Sequence, residues 1–156
     1  MATIERAVMN FEAILRAEFP LALATIAAEW NDGVDLQAPV SYHWEEVPEK
    51  IGATPAVLII AEGEDQTEMG VKDSLFNATL RVYVVITGRE KRELTQRIFR
   101  YADAMKRIVR KPFNRTLYQH VVSAKIPAIR YSNTFVDRDQ LFARDFSAEV
   151  TLRLPQ

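Results

Sequence analysis

Two histidines, His43 and His120, are the side chains in this sequence best suited to moving a proton near neutral pH. His43 stands in Tyr42-His43-Trp44-Glu45-Glu46, and His120 in Tyr118-Gln119-His120. Metal ligation calls for two ligands one helical turn apart, or for His with carboxylates drawn from several elements. Only His43 with Glu45 or Glu46 forms a local cluster of that kind, in a segment flanked by Pro39 and Pro48. A packed or half-exposed loop histidine is therefore expected. Ser41, Ser74, Ser123, Ser132 and Ser147 lack the Gly-x-Ser-x-Gly frame that presents a nucleophilic serine on a sharp strand-to-helix turn. Gly33, Gly52, Gly63, Gly70 and Gly88 are too scattered to cradle a phosphate. Glu62, Glu64 and Asp65 are close in sequence, but a run of acids in a polar stretch is a solvated tip rather than a buried acid–base pair. The expectation is a non-enzyme with no catalytic, cofactor-binding or metal-binding residues; an enzyme centred on His43 is the third of three functional readings.

Charge is segregated along the chain. Residues 89–115 hold ten bases (Arg89, Lys91, Arg92, Arg97, Arg100, Lys106, Arg107, Arg110, Lys111 and Arg115) against Glu90, Glu93 and Asp103, a local charge of +7. Glu45, Glu46, Glu49, Glu62, Glu64, Asp65 and Glu68 carry the opposite sign. A solvated helix face beside ordinary acidic loops accounts for this pattern without any function. A first functional reading is head-to-tail contact between copies, with Glu62, Glu64, Asp65 and Glu68 of one meeting Arg97, Arg100, Arg107 and Arg110 of the next. Reversing charge at Arg97, Arg100 and Arg107 together is then expected to abolish assembly and leave the fold intact. A second reading is a nucleic-acid-binding accessory domain that uses the basic helix over 89–111 to contact phosphates.

These residues are positioned by a short series of elements. Leu80, Val82, Val84 and Ile86 alternate with Arg81, Tyr83, Val85 and Thr87, the period of a half-buried strand. After Gly88 the period changes: Leu94, Ile98, Tyr101, Ala102, Met105, Ile108 and Val109 recur at helical spacing, and Pro112 stops the helix. Ile4, Ala7, Val8, Phe11, Ile14 and Leu15 predict an N-terminal helix capped by Thr3, with a kink or break near Phe19-Pro20 and an end at Asn31-Asp32-Gly33. Residues 34–54 read as irregular and acidic. Residues 55–62 read as a central strand apolar on both faces, and 62–72 as a long acidic loop. Residues 121–131 form a third strand, which Pro127 places at an edge or a bulge; 132–140 form a polar turn, and 141–154 a fourth strand with Phe146, Ala148, Val150, Leu152 and Leu154 on one face. The expected fold is α+β in the order α-β-β-α-β-β, a four-stranded, mainly antiparallel sheet packed with two or more helices, in one domain over 1–156.

With 48% hydrophobic residues the chain can bury a proper core, and a formal net charge of −1 gives no global drive toward nucleic acid or membrane. No cysteine is present, so disulfides and thiolate chemistry are excluded, which suits assembly in a reducing cytosol. Glu5, Arg6, Asn10 and Glu12 interrupt any secretory apolar region, and the apolar run over 53–61 is far too short to cross a bilayer. A soluble protein made inside the cell and without a membrane partner is expected.

The N-terminal helix, the lead Thr54-Pro55-Ala56-Val57-Leu58-Ile59-Ile60, the long loop, the strand Ala78-Thr79-Leu80-Arg81-Val82-Tyr83-Val84-Val85-Ile86, the helix over 90–110 and the closing Phe146-Ser147-Ala148-Glu149-Val150-Thr151-Leu152 follow one another in a familiar order. In size and element order the chain resembles the tail terminator, or tail-completion, proteins of long-tailed bacteriophages, over nearly its whole length but without a fixed motif. The resemblance implies an α+β subunit of a homo-oligomeric ring, commonly a hexamer, seated on the last ring of tail-tube protein. There it stops tube polymerisation and joins the tail to the head connector. It further implies a place in the virion neck after assembly in the host cytoplasm, with DNA passing through the lumen. Other neck and head-closure subunits share that setting.

Overall fold

The computed structural model describes residues 3–45, 51–68, 74–111, 114, 123–132, 136–138 and 141–155, with backbone alone at 65–68, 74–76, 136–138 and 155. The first helix, α1 (Ile4–Trp30), starts as its sequence dictates: the Thr3 hydroxyl accepts the otherwise unpaired N–H of Arg6 at 3.2 Å. Its end is equally local, since Asn31 takes the left-handed conformation (φ 47°) and returns its N–H to the Ala27 carbonyl at 2.9 Å. Between these caps the helix continues through Pro20, which overturns the break, one of the two expectations there. Phe19, Leu23 and Ile26 are buried on either side of the exposed Pro20, so packing holds the turn that lacks one hydrogen bond.

Five strands follow a single path across one sheet. In chain order they are β1 (Ser41–His43), β2 (Ala56–Glu68), β3 (Ser74–Gly88), β4 (Ser123–Tyr131) and, after the short β5 (Val136–Arg138), β6 (Leu141–Pro155). The spatial order is β1-β2-β3-β6-β4, with β5 paired to β6. The second helix, α2 (Lys91–Arg110), lies between β3 and β4 in sequence. Two expectations are corrected here. The described residues form six strands, not four, and the sheet is mixed because β1 runs parallel to β2, pairing Ser41 with Ala56 and His43 with Leu58. Both additional strands are three residues long and lie in segments that read as irregular; a neighbouring strand supplies the ladder their own sequence does not signal.

The acidic stretch is also corrected. Residues 62–68 are not loop: they continue β2, and beyond a bulge at Glu62 residues 63–68 pair with residues 74–79 of β3. Strand β3 is held in turn on its far side by β6, from Leu75 against Pro155 to Gly88 against Phe142. Main-chain pairing to an anchored neighbour needs no apolar side chains, which is why polarity misled. By contrast, Pro127 lies where expected, on the edge strand β4 within the bulge between Lys125 and Ala128.

Both helices pack on the same face of the sheet. Leu80, Val82, Val84 and Ile86 of β3 and Phe146, Ala148, Val150, Leu152 and Leu154 of β6 meet Phe11, Ile14, Leu15, Phe19 and Leu23 of α1 and Leu94, Ile98, Tyr101 and Met105 of α2, all buried. Among the described residues the opposite face is covered at one end, where Ile51, Ala56, Leu58 and Val85 form a small second cluster. Its remainder is polar: Thr79, Arg81, Ser147, Glu149, Thr151 and Arg153 share it, with Arg81 directly opposite Glu149. At the turn from β3 into α2, Gly88 admits Leu94 so closely that an added Cβ would stand 3.3 Å from its Cδ1. No described helix is long and apolar enough to cross a membrane.

Candidate functional site

Three bases of α2 and its C-terminal end are answered by carboxylates of α1 and the turn that follows it. Arg100 holds Asp32 in a two-pronged pair, Nη1 to Oδ1 at 2.9 Å and Nη2 to Oδ2 at 2.5 Å, while its guanidinium stacks 4.5 Å from the Trp30 ring. Arg107 grips Glu29 at 2.9 and 2.7 Å and touches Asp103 at 3.0 Å. Lys111 reaches Glu18 at 2.7 Å. Partners advance along α2 as they retreat along α1, so the helices lie antiparallel and the three pairs stitch their seam. The Arg100 guanidinium beside it holds the Asp32 carboxyl at about 2. Arg107 likewise lowers Glu29, and Asp32 and Glu29 raise their respective arginines further.

Sequence reasoning missed these acids although the signal was present. Glu18 and Glu29 are eleven residues apart, three turns of one helix, and Arg100 and Arg107 are seven apart, two turns of the other. Two charged stripes of opposite sign on neighbouring helices can meet within a single chain. Arg97 is also engaged internally, donating from Nη1 to the Thr87 carbonyl at 2.9 Å. The seam ends at Asn114, whose Nδ2 donates to the Ile108 carbonyl at 2.9 Å and to the Glu18 carboxylate. Lys111 is extended (ψ 131°), as a residue before proline is; Pro112 itself lies outside the described residues.

Of the proposed contact residues, the structure therefore gives Arg97, Arg100 and Arg107 partners in their own chain. Arg110 is exposed and makes no hydrogen bond or ion pair among the described residues. Glu62 pairs with Arg81 at 3.0 Å, and Glu64 is exposed without such a partner. The side chains of Asp65 and Glu68, and residues 69–73 of the expected loop, lie outside the described residues.

Two sheet edges differ in charge. Strand β1 covers β2 only from Ala56 to Leu58, so from residue 59 onward β2 has a described partner on one side alone. Ala61, Glu62, Gly63 and Glu64 are all exposed, which for alternating strand positions means that both faces are solvated. The other edge is β4, paired only with β6. Beside it Lys106, Val109 and Arg110 of α2 and Ala124, Lys125 and Ile126 of β4 line a depression of about 200 Å3. On the open face a second depression of about 390 Å3 collects Lys125, Arg153, Ser123, Thr79 and Thr151.

His43 lies in β1, at a shallow depression it shares with Glu12, Tyr42, Trp44 and Glu45. The carboxylate of Glu12 is already shared between Trp44 Nε1 at 3.2 Å and Arg16 at 3.4 Å, and Arg16 sits 4.2 Å over the Tyr42 ring. Burial pushes the Tyr42 hydroxyl up to about 12, so it does not serve as a base. Among the described residues no three His, Asp or Glu side chains converge as metal ligands. His120, Glu46 and Glu49 lie outside the described residues.

No family model matches this chain. No curated protein matches it either.

Proposed function

We propose that this protein is a structural assembly subunit, a ring-forming terminator of a phage tail tube or a closely related neck protein. The observation that carries the reading is the outer half of β2. It is an acidic strand with no second partner among the described residues and with both faces solvated over residues 61–64, backed by two fifteen-residue strands. Such an edge is a template for another chain, and one that carries glutamates accepts only a partner that answers them. The order of helix, strands, helix and strands, which the chain has in common with tail terminators by resemblance, supports the same reading. In this reading the ring caps the tube, meets the head connector, and leaves a lumen for DNA.

A nucleic-acid role for the helix over 89–111 is the weaker alternative, because Asp32, Glu29 and Glu18 already neutralise Arg100, Arg107 and Lys111. The deciding experiment is solution mass by light scattering, then electron microscopy with and without purified tail tubes. A ring, or a monomer that becomes a cap at tube ends, is expected. A monomer that ignores tubes overturns the proposal, and duplex DNA binding that collapses with added salt replaces it by the alternative.

A further inference from the structure

Resting on the assembly reading above, we infer that copies of this protein join head to tail through the unlike edges of their sheets. The acidic edge of β2 on one copy seats against the basic strip between β4 and α2 on the next.

Three observations converge on this contact. The first is unanswered charge: Arg81, Arg100, Arg107 and Lys111 each have a carboxylate within 3.0 Å, whereas Lys106, Arg110 and Lys125, like Arg6, Arg89, Arg92, Arg130 and Arg153 elsewhere, have no side-chain hydrogen bond or ion pair among the described residues. Lys106 and Arg110 stand one turn apart on α2 and repel one another, with no described carboxylate between them. An anion from outside the chain is the natural counterpart.

The second is the shape beneath them. Lysines on an edge strand are a common defence against unwanted pairing. Here, however, Lys106 and Arg110 come from the helix and line a depression with Val109, Ala124 and Ile126, while Lys125, paired with Thr151, adds its charge from the open face of the same edge. A guard needs no groove, but a seat does. Because Pro127 and the neighbouring bulge deny β4 a long regular ladder, the contact is led by side-chain charge, not by an extended run of main-chain bonds.

The third is position. The acidic edge, where exposed Glu64 makes no ion pair among the described residues, and the basic edge lie at opposite ends of the same sheet. One copy thus presents both halves of the contact, with Glu62 held by Arg81 and Glu64 left for a partner. A contact between unlike patches is heterologous, and repeated around a closing rotation it makes a ring.

The test uses the full chain, analytical ultracentrifugation and three variants. Lys106→Glu/Arg110→Glu/Lys125→Glu reverses one edge, Glu64→Lys reverses the other, and the third carries Glu64→Lys with Lys125→Glu. The first two are expected to weaken self-association at least about tenfold with unchanged circular dichroism. Mixed together they are expected to regain higher oligomers in which the two alternate, since the intact edges meet and the two reversed edges also meet as opposite charges. The third is expected to regain higher oligomers. Oligomers of unaltered mass in the triple variant overturn this contact while leaving the assembly reading standing. A wild-type chain that stays monomeric at every concentration and at tube ends overturns both. Short duplex DNA that binds a monomeric wild type and is lost in the triple variant overturns the contact by giving the strip a different partner.

Discussion

Arg100 and Asp32, sixty-eight residues apart, close the junction between the two helices with two parallel hydrogen bonds. The arginine side chain is 7% exposed and the aspartate 35%, so the cation is the buried member and the carboxylate its link to solvent. Asp32→Ala therefore leaves a guanidinium buried without a counter-charge. It is expected to lower Tm clearly more than Glu29→Ala, whose partner Arg107 is 38% exposed and screened by water. Thermal unfolding followed by circular dichroism ranks the two, and an equal or reversed ranking refutes this account of the junction. The same pairs revise the expectation that the triple reversal at Arg97, Arg100 and Arg107 spares the fold: that variant is expected to lose stability as well as any assembly.

Acid should open this junction over a definite window. Asp32 titrates near 3.8 when unfolded and is held at about 2 by Arg100 in the folded chain. The folded state thus binds the proton less readily, and the pair's contribution is fully present above pH 3.8. It fades as pH falls through that window and is gone below about 2. Asp32→Asn is expected to flatten the acid limb of stability against pH in this range; a limb of unchanged slope contradicts the assignment.

Pro20 stands exposed within an otherwise continuous helix. Replacing it by alanine restores a backbone donor and removes the clash with the preceding turn. Pro20→Ala is expected to stabilise by up to about 3 kcal/mol. Urea unfolding measures it, and a destabilised variant would show that the proline sets a helix shape the core requires.

The Tyr101 ring is buried between α1 and the sheet, close to Phe19, and its hydroxyl donates to the Gln37 carbonyl. Burial pushes that hydroxyl up to about 12, so it stays protonated as a donor. Tyr101→Phe is expected to cost about 1 kcal/mol. Phe146→Ala, which empties a fully buried position, is expected to cost about 3–5 kcal/mol. Chemical denaturation of both variants against wild type reads the ratio.

What this sequence determined by itself is what depends on neighbours along the chain. The Thr3 cap, the Asn31 stop, the alternation of Leu80 to Ile86 and of Phe146 to Leu154, the helical stripe of α2 and the edge position of Pro127 all follow from period, turn chemistry and the geometry of proline. Only the tertiary structure decided the rest. Residues 62–68 become strand because β3, braced by β6, offers them a ladder, and β1 exists because β2 does. The basic helix carried the same ambiguity: its sequence gives ten bases in 89–115 but cannot say which face an acid of the same chain. Charge is long-ranged and undirected along the sequence, so its partner is chosen only when folding brings α1 beside α2. That pairing buries Arg100, gives Arg107 and Lys111 carboxylate partners at the surface, and leaves Lys106 and Arg110 without one among the described residues.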